Sequence, residues 1–157
     1  MSDGAEFAYM PVWDLVAKIR EKKISPVELT DYFLSRIEKH DAKVNAFLTI
    51  TDDLARTQAK EAEKAVLSGE TLGPLHGVPT SIKDLVLTQG IRTTMGSRIY
   101  ENSVPETDDL IVERLKQAGA IILGKTNTPE FGHRGTTENL LGDACRNPWN
   151  LNRTAGG

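Results

Sequence analysis

One lysine in this sequence stands where lysines are costly. Lys83 interrupts an apolar stretch, with Ile82 before it and Leu85, Val86 and Leu87 after it. A strand there would be largely buried, and burying an ammonium carries a large desolvation penalty. The local pattern leaves two readings open. A lysine at a strand end can lay its methylene stem along apolar surface and keep its charge in water, which is the commoner arrangement. The other reading is an amine held dry because a reaction uses it.

A second lysine sits in a better-known pattern. Gly119-Ala-Ile-Ile-Leu-Gly124-Lys125-Thr126 fits the phosphate-loop spacing GxxxxGK[ST]. That motif needs a strand before the first glycine, a flexible cradle, and a helix opening at the lysine. Here a helical pattern precedes Gly119, and the four residues between the glycines want to be a buried strand. Pro129 also interrupts any helix starting at Lys125. A nucleotide-binding protein acting through this stretch is therefore the least favoured of the functions weighed.

The other reactive side chains are scattered. His40, His76 and His133 lack the spacing of a helical or finger metal site, so no metal is expected. Cys145 could meet His133 only through folding, and a lone cysteine beside Arg146 is more often a small packed residue. No GxSxG elbow marks a serine hydrolase. Glu106, Asp108 and Asp109 precede a helical pattern, where compensation of the helix dipole is reason enough for them.

The elements that must position these residues follow from periodicity. Apolar residues at Val12, Leu15, Val16 and Ile19 predict a helix over 12–22. Ser25-Pro26-Val27-Glu28 opens a second helix, with Ser25 as cap, Pro26 in the first turn and Glu28 completing a capping box. It runs to about His40. A short strand over 45–50 and an Ala-, Lys- and Glu-rich helix over 52–67 follow, the latter ended by Gly69. Past the loop 73–79, a strand over 80–88 is broken at Lys83-Asp84. A helix capped by Thr107 or Asp108 reaches Ala118, and 120–123 is a fully apolar strand. Thr128-Pro129-Glu130 starts another short helix, and 132–157 has no period. Helices first, then alternating strands and helices, predict an α/β layered fold with a partly parallel sheet. We divide the chain into a helical N-terminal region, 1–72, and the first part of an α/β core, 73–157, as a single incomplete domain.

Bulk properties bound the function. The 157 residues carry a net charge of −3, which gives no basic footprint for nucleic acid. No apolar run is long enough to span a bilayer. The start lacks the charge-then-apolar pattern of a secretory signal. A single cysteine forms no internal disulfide, so a cytoplasmic setting is the default. The end, Arg153-Thr154-Ala155-Gly156-Gly157, reads as a chain cut in mid-loop, although composition fits a natural tail equally well.

The second half of the chain carries a resemblance. Gly73-Pro-Leu-His-Gly-Val-Pro-Thr-Ser-Ile-Lys83-Asp84 resembles the lysine segment of the amidase-signature family. Thr93-Thr-Met-Gly-Ser97, the stretch from Ala118 to Gly132, Gly135-Thr-Thr-Glu-Asn139, and the stretch from Arg146 to Gly157 follow in the family's order. Any one block is unspecific, but five in order are not.

The resemblance implies the mixed-sheet α/β/α amidase-signature fold and amide hydrolysis by a Ser-cisSer-Lys triad, without metal or cofactor. Lys83 matches the family's lysine. Gly156-Gly157 match the glycine pair that opens the loop bearing the cis serine, so both serines would lie beyond residue 157 and these residues alone would be inactive. A lysine that activates a serine and then protonates a leaving amine must rest neutral near pH 7. From the ordinary lysine value of about 10.4, that is a fall to roughly 7, or roughly 4 kcal/mol against the charged form. Burial among Ile82, Leu85 and Val86 would push the amine that way, while strand alternation should turn Asp84 to the other face. Thr136, Thr137, Glu138 and Asn139 would line the substrate region by analogy, or else form a polar loop that satisfies its own backbone.

The leading expectation is a free-standing amidase acting on a small-molecule linear amide, with no nucleic-acid or membrane partner and a homodimer left open. The alternative is the glutamine-amidase component of a tRNA-dependent amidotransferase. That component typically carries Met-Asp-Glu-Phe-Ala where this chain has Thr128-Pro-Glu-Phe-Gly132.

Overall fold

Helix formation begins where the sequence signals it most strongly. The structure, a computed structural model, describes residues 5–157. A short helix α1 (Ala5–Ala8) and α2 (Val12–Arg20) lead into α3 (Pro26–Val44). The Ser25 hydroxyl accepts from the Val27 and Glu28 amides at 3.0 and 3.2 Å, and it donates to Glu63 of α4 (Asp52–Ser68). The cap thus also ties two helices together. Asn45 ends α3 in the left-handed region and Gly69 does the same for α4.

The sheet has three strands in the order β1 (Phe47–Ile50), β3 (Ile121–Thr126), β2 (Pro79–Lys83). β1 is antiparallel and β2 parallel to the central β3. The helix α5 (Leu110–Gln117) supplies the crossover between the parallel pair. β3 is apolar because both its faces are covered. Ile121 and Leu123 pack on Leu34 of α3 and on Ala55, Ala59 and Ala62 of α4. Those alanines recur at helical spacing and let α4 lie close to the sheet. On the other face Ile122 meets Ile82, Ile91 and Val112. Burying each such aliphatic side chain contributes roughly 1.5–3 kcal/mol. The result is the expected mixed α/β architecture.

The glycines of the phosphate-loop pattern are explained by packing. A Cβ on Gly124 would lie 2.2 Å from the Thr49 carbonyl oxygen of β1. One on Gly119 would lie 2.8 Å from His76 Cα. The stretch is a strand followed by the short 3₁₀ turn Glu130–Gly132, so nothing cradles a phosphate there.

Three expectations need correction. β2 stops at Lys83 instead of continuing to Thr88, because the chain turns there, with the Val86 amide donating to the Lys83 carbonyl at 3.0 Å. Asp109 caps α5 without a side-chain bond to it. The Asp109 and Asp108 carboxylates instead accept from the Leu87 and Gln89 amides at 2.7 and 2.6 Å, because the irregular chain after β2 leaves those amides without a strand partner. Finally, 132–157 contains a hairpin, β4 (Arg146–Asn147) and β5 (Asn150–Thr154), whose polar, exposed strands have no apolar alternation to betray them. Among the described residues no helix is long and apolar enough to cross a membrane.

Candidate active site

Lys83 ends β2 on its exposed face, whereas Ile82 and Asp84 on either side are buried. Asp84 turns away from the amine, as alternation requires. The burial expected for Lys83 among Ile82, Leu85 and Val86 is not found: these side chains flank it in sequence but point elsewhere, and within this chain its side chain reaches solvent. Ser81, two residues earlier on the same exposed face, borders a groove of about 710 Å³ between α3, β2 and the β4–β5 hairpin. Its walls include Phe33, Ile37, Phe47 and Leu123, with Arg36 and His40 among the polar residues.

The buried lysine is Lys125, with 0% of its surface exposed. Its Nζ donates to the Val86 carbonyl at 2.5 Å and to the hydroxyls of Thr88 and Thr93 at 2.9 and 2.8 Å. Those hydroxyls pass their own protons to the carbonyls of Val86 and Ile91. All three ammonium protons therefore have neutral acceptors. Asp84 Oδ1 lies 3.9 Å away and makes no hydrogen bond, so it contributes charge only. Burial pushes the Lys125 amine down to about 8, against the pull of Asp84, Asp109 and Asp108. Asp84 Oδ2 accepts from the Thr94 amide at 3.0 Å and from the Thr94 hydroxyl. Ser97 donates to Glu130 at 2.7 Å. Asp84, Thr88, Thr93, Thr94 and Lys125 thus form one buried polar cluster beneath the end of β2, and the Ser97–Glu130 bond lies nearer the surface.

The remaining candidates fall around the last residues. The Thr137 hydroxyl donates to the Gly156 carbonyl at 2.5 Å, and Gly157 lies against the Arg134 and Gly135 backbone. Asn139 donates to Asn127 Oδ1 and to the Thr128 carbonyl, each at 2.8 Å. Thr137 and Asn139 are thereby engaged in holding their own loop. Thr136 is half-buried and Glu138 is exposed. Glu138 and Asn139 border a second cavity of about 350 Å³ with Glu130, His133 and Arg134. Burial, with Asp41 nearby, raises the Cys145 thiol further from ionisation, which suits a packed residue.

A sequence model described as Amidase matches residues 28–157. The chain belongs to the amidase family. Among its curated relatives is a glutamyl-tRNA(Gln) amidotransferase subunit from Geobacter sp. (strain M21), 45% identical over 94% of this chain and 30% of that protein. Among solved structures, a bacterial aryl acylamidase of the amidase-signature enzymes is 33% identical, with a TM-score of 0.89 over 95% of this chain and 31% of the other. A protein from a vestigial complex tied to the origins of an s-triazine catabolic enzyme is 34% identical, also with a TM-score of 0.89, over 94% of this chain and 33% of the other. The chain spans about 30% of the length of the curated relatives it matches.

Within this amidase chain, sequence reasoning missed Lys125, Asp84 and Thr94 as one cluster. The available signal was a lysine embedded in the most apolar strand of the sequence, the very argument applied to Lys83.

Proposed function

We propose that this chain is part of an amidase that releases ammonia from glutamine as the glutamine-hydrolysing component of a tRNA-dependent amidotransferase. The observation that carries this reading is the 45% identity, over 94% of the chain, to a glutamyl-tRNA(Gln) amidotransferase subunit. On this reading Lys83 moves the proton between a serine nucleophile and the leaving amine, and the Gly156-Gly157 loop leads toward the serines. The exposed side chain of Lys83 then gains its dry surroundings from the rest of a longer protein. The substrate is a small carboxylic amide, the partners are the other amidotransferase subunits, and the setting is the cytoplasm. Residues 1–72 and 73–157 belong to one catalytic domain.

One observation favours a free-standing amidase instead. Thr128-Pro-Glu-Phe-Gly132 departs from the Met-Asp-Glu-Phe-Ala that the amidotransferase component typically carries, and Glu130 and Phe131 here engage Ser97 and Tyr100. Ammonia release from glutamine by the full-length protein, with and without its partner subunits, separates the two. Glutamine hydrolysis strengthened by the partners is expected. Rapid turnover of an anilide or peptide amide by the lone protein, with glutamine untouched, would establish the free-standing reading instead.

A further inference from the structure

We propose that Lys125 and Asp84 are positioning residues that fix the backbone from which Lys83 projects. The inference rests on the amidase reading of Lys83. The turn after β2 is held from several directions. The Lys83 carbonyl accepts from the Val86 amide at 3.0 Å, and the Val86 carbonyl accepts from Lys125 Nζ at 2.5 Å. The Asp84 amide donates to the Thr126 carbonyl at 3.0 Å, and the Asp84 carbonyl accepts from the Met95 amide at 3.0 Å. The Asp84 carboxylate receives the Thr94 amide and hydroxyl. Lys83 thus leaves the sheet at a point fixed by β3 on one side and by the 93–97 segment on the other.

Stability alone is a poor reason for such a pair. Replacing a buried ion pair by apolar side chains of similar size is often neutral or stabilising. Lys125 occupies a strand of Ile121, Ile122 and Leu123, where an apolar side chain would pack without desolvation. The pair supplies direction: two of the three Lys125 donors meet Val86 and Thr88 in the segment that follows Lys83, and the third meets Thr93. A proton carrier displaced by about 1 Å loses on the order of 100-fold in rate.

The test is the Lys125→Met/Asp84→Asn double variant of the full-length protein, which removes both charges together and keeps an oxygen for Thr94. The expected result is a near-normal melting temperature, a kcat lowered about 10- to 100-fold with KM within about twofold, and at least about tenfold faster hydrogen exchange at the Val86 amide. A double variant that melts normally, keeps the wild-type kcat and protects Val86 overturns the proposal. If the double variant does not fold, Thr88→Val is measured, which keeps both charges and removes the hydroxyl that accepts from Lys125 and donates to the Val86 carbonyl: a fall in kcat at constant KM supports the proposal, and unchanged kcat overturns it. Full turnover by Lys83→Ala would instead sink the amidase reading, and Val86 exchange would still decide whether the pair anchors the turn.

Discussion

Lys83 and Asp84 are neighbours in sequence and face opposite sides of the end of β2, the first exposed and the second fully buried. The two faces have separate tasks. The exposed face, shared with Ser81, adjoins the groove beside α3. The buried face meets Lys125 across the strand pairing that sets Lys83 opposite Thr126. A one-residue slip of this register would exchange the two residues, burying Lys83 and exposing Asp84. The extensive bonding of the following turn guards against that slip.

Breaking the buried pair from one side should cost far more than removing it. Lys125→Met leaves the Asp84 carboxylate in the core with no cation beside it, which costs about 3–5 kcal/mol. Adding Asp84→Asn should recover most of that loss. Urea unfolding of the single and double variants forms a double-mutant cycle. Additive losses across the cycle would show that the 3.9 Å contact carries no coupling.

Lys125 also sets an alkaline trend in stability. Burial holds its folded-state value at about 8, below the ordinary lysine value of 10.5. Between those values the unfolded chain keeps a proton that the folded chain has released, so stability rises with pH in that window. The slope is at most about 1.4 kcal/mol per unit. Below the folded value both states are protonated and this contribution is flat. Wild type minus Lys125→Met isolates the effect from the other lysines and tyrosines. A difference that stays constant from about pH 7 to about pH 10.5 would contradict it.

The Gly124-Lys125-Thr126 stretch gives a third test. Gly124→Ala would push a methyl group to 2.2 Å from the Thr49 oxygen, where only backbone can yield. The pairing of β1 with β3 should open, at a cost of about 3 kcal/mol or more. ATP and GTP at millimolar concentration should leave the wild-type melting temperature unchanged, because the lysine is enclosed and the stretch is a strand. Saturable stabilisation by either nucleotide would contradict this.

How much of this was legible follows from the range of each interaction. The cap at Ser25, the helical face of α2 and the apolar run of β3 are local patterns, and the sequence displays them. That Lys83 and Asp84 face opposite ways follows from strand alternation and was readable, but which of the two is buried was not: Lys83 was expected inside, and Asp84 takes that place. The Lys125 cage was not, because its partners Val86 and Thr93 lie 39 and 32 residues away and no local period records them. Asp108 and Asp109 looked sufficient as dipole compensation, yet both accept from amides about twenty residues upstream, and Asp108 also pairs with Lys116. The β4–β5 hairpin buries little, so it leaves no hydrophobic trace.

The exposed position of Lys83 makes its own substitution informative. Truncating an exposed side chain away from caps and buried partners usually changes stability by less than about 0.5 kcal/mol. Lys83→Ala should therefore leave the melting temperature of residues 1–157 nearly unchanged, and the full-length variant should still fold. Turnover should fall by at least about 10³-fold if the amine both activates the nucleophile and protonates the leaving group, since general acid–base catalysis supplies about 10²–10⁴-fold. Residues 1–157 alone should show no turnover on either glutamine or an anilide. Steady-state ammonia release, paired with a thermal melt of the same sample, reads both quantities together. Activity retained alongside an intact fold would remove Lys83 from the chemistry, and activity lost alongside the fold would assign it a structural role.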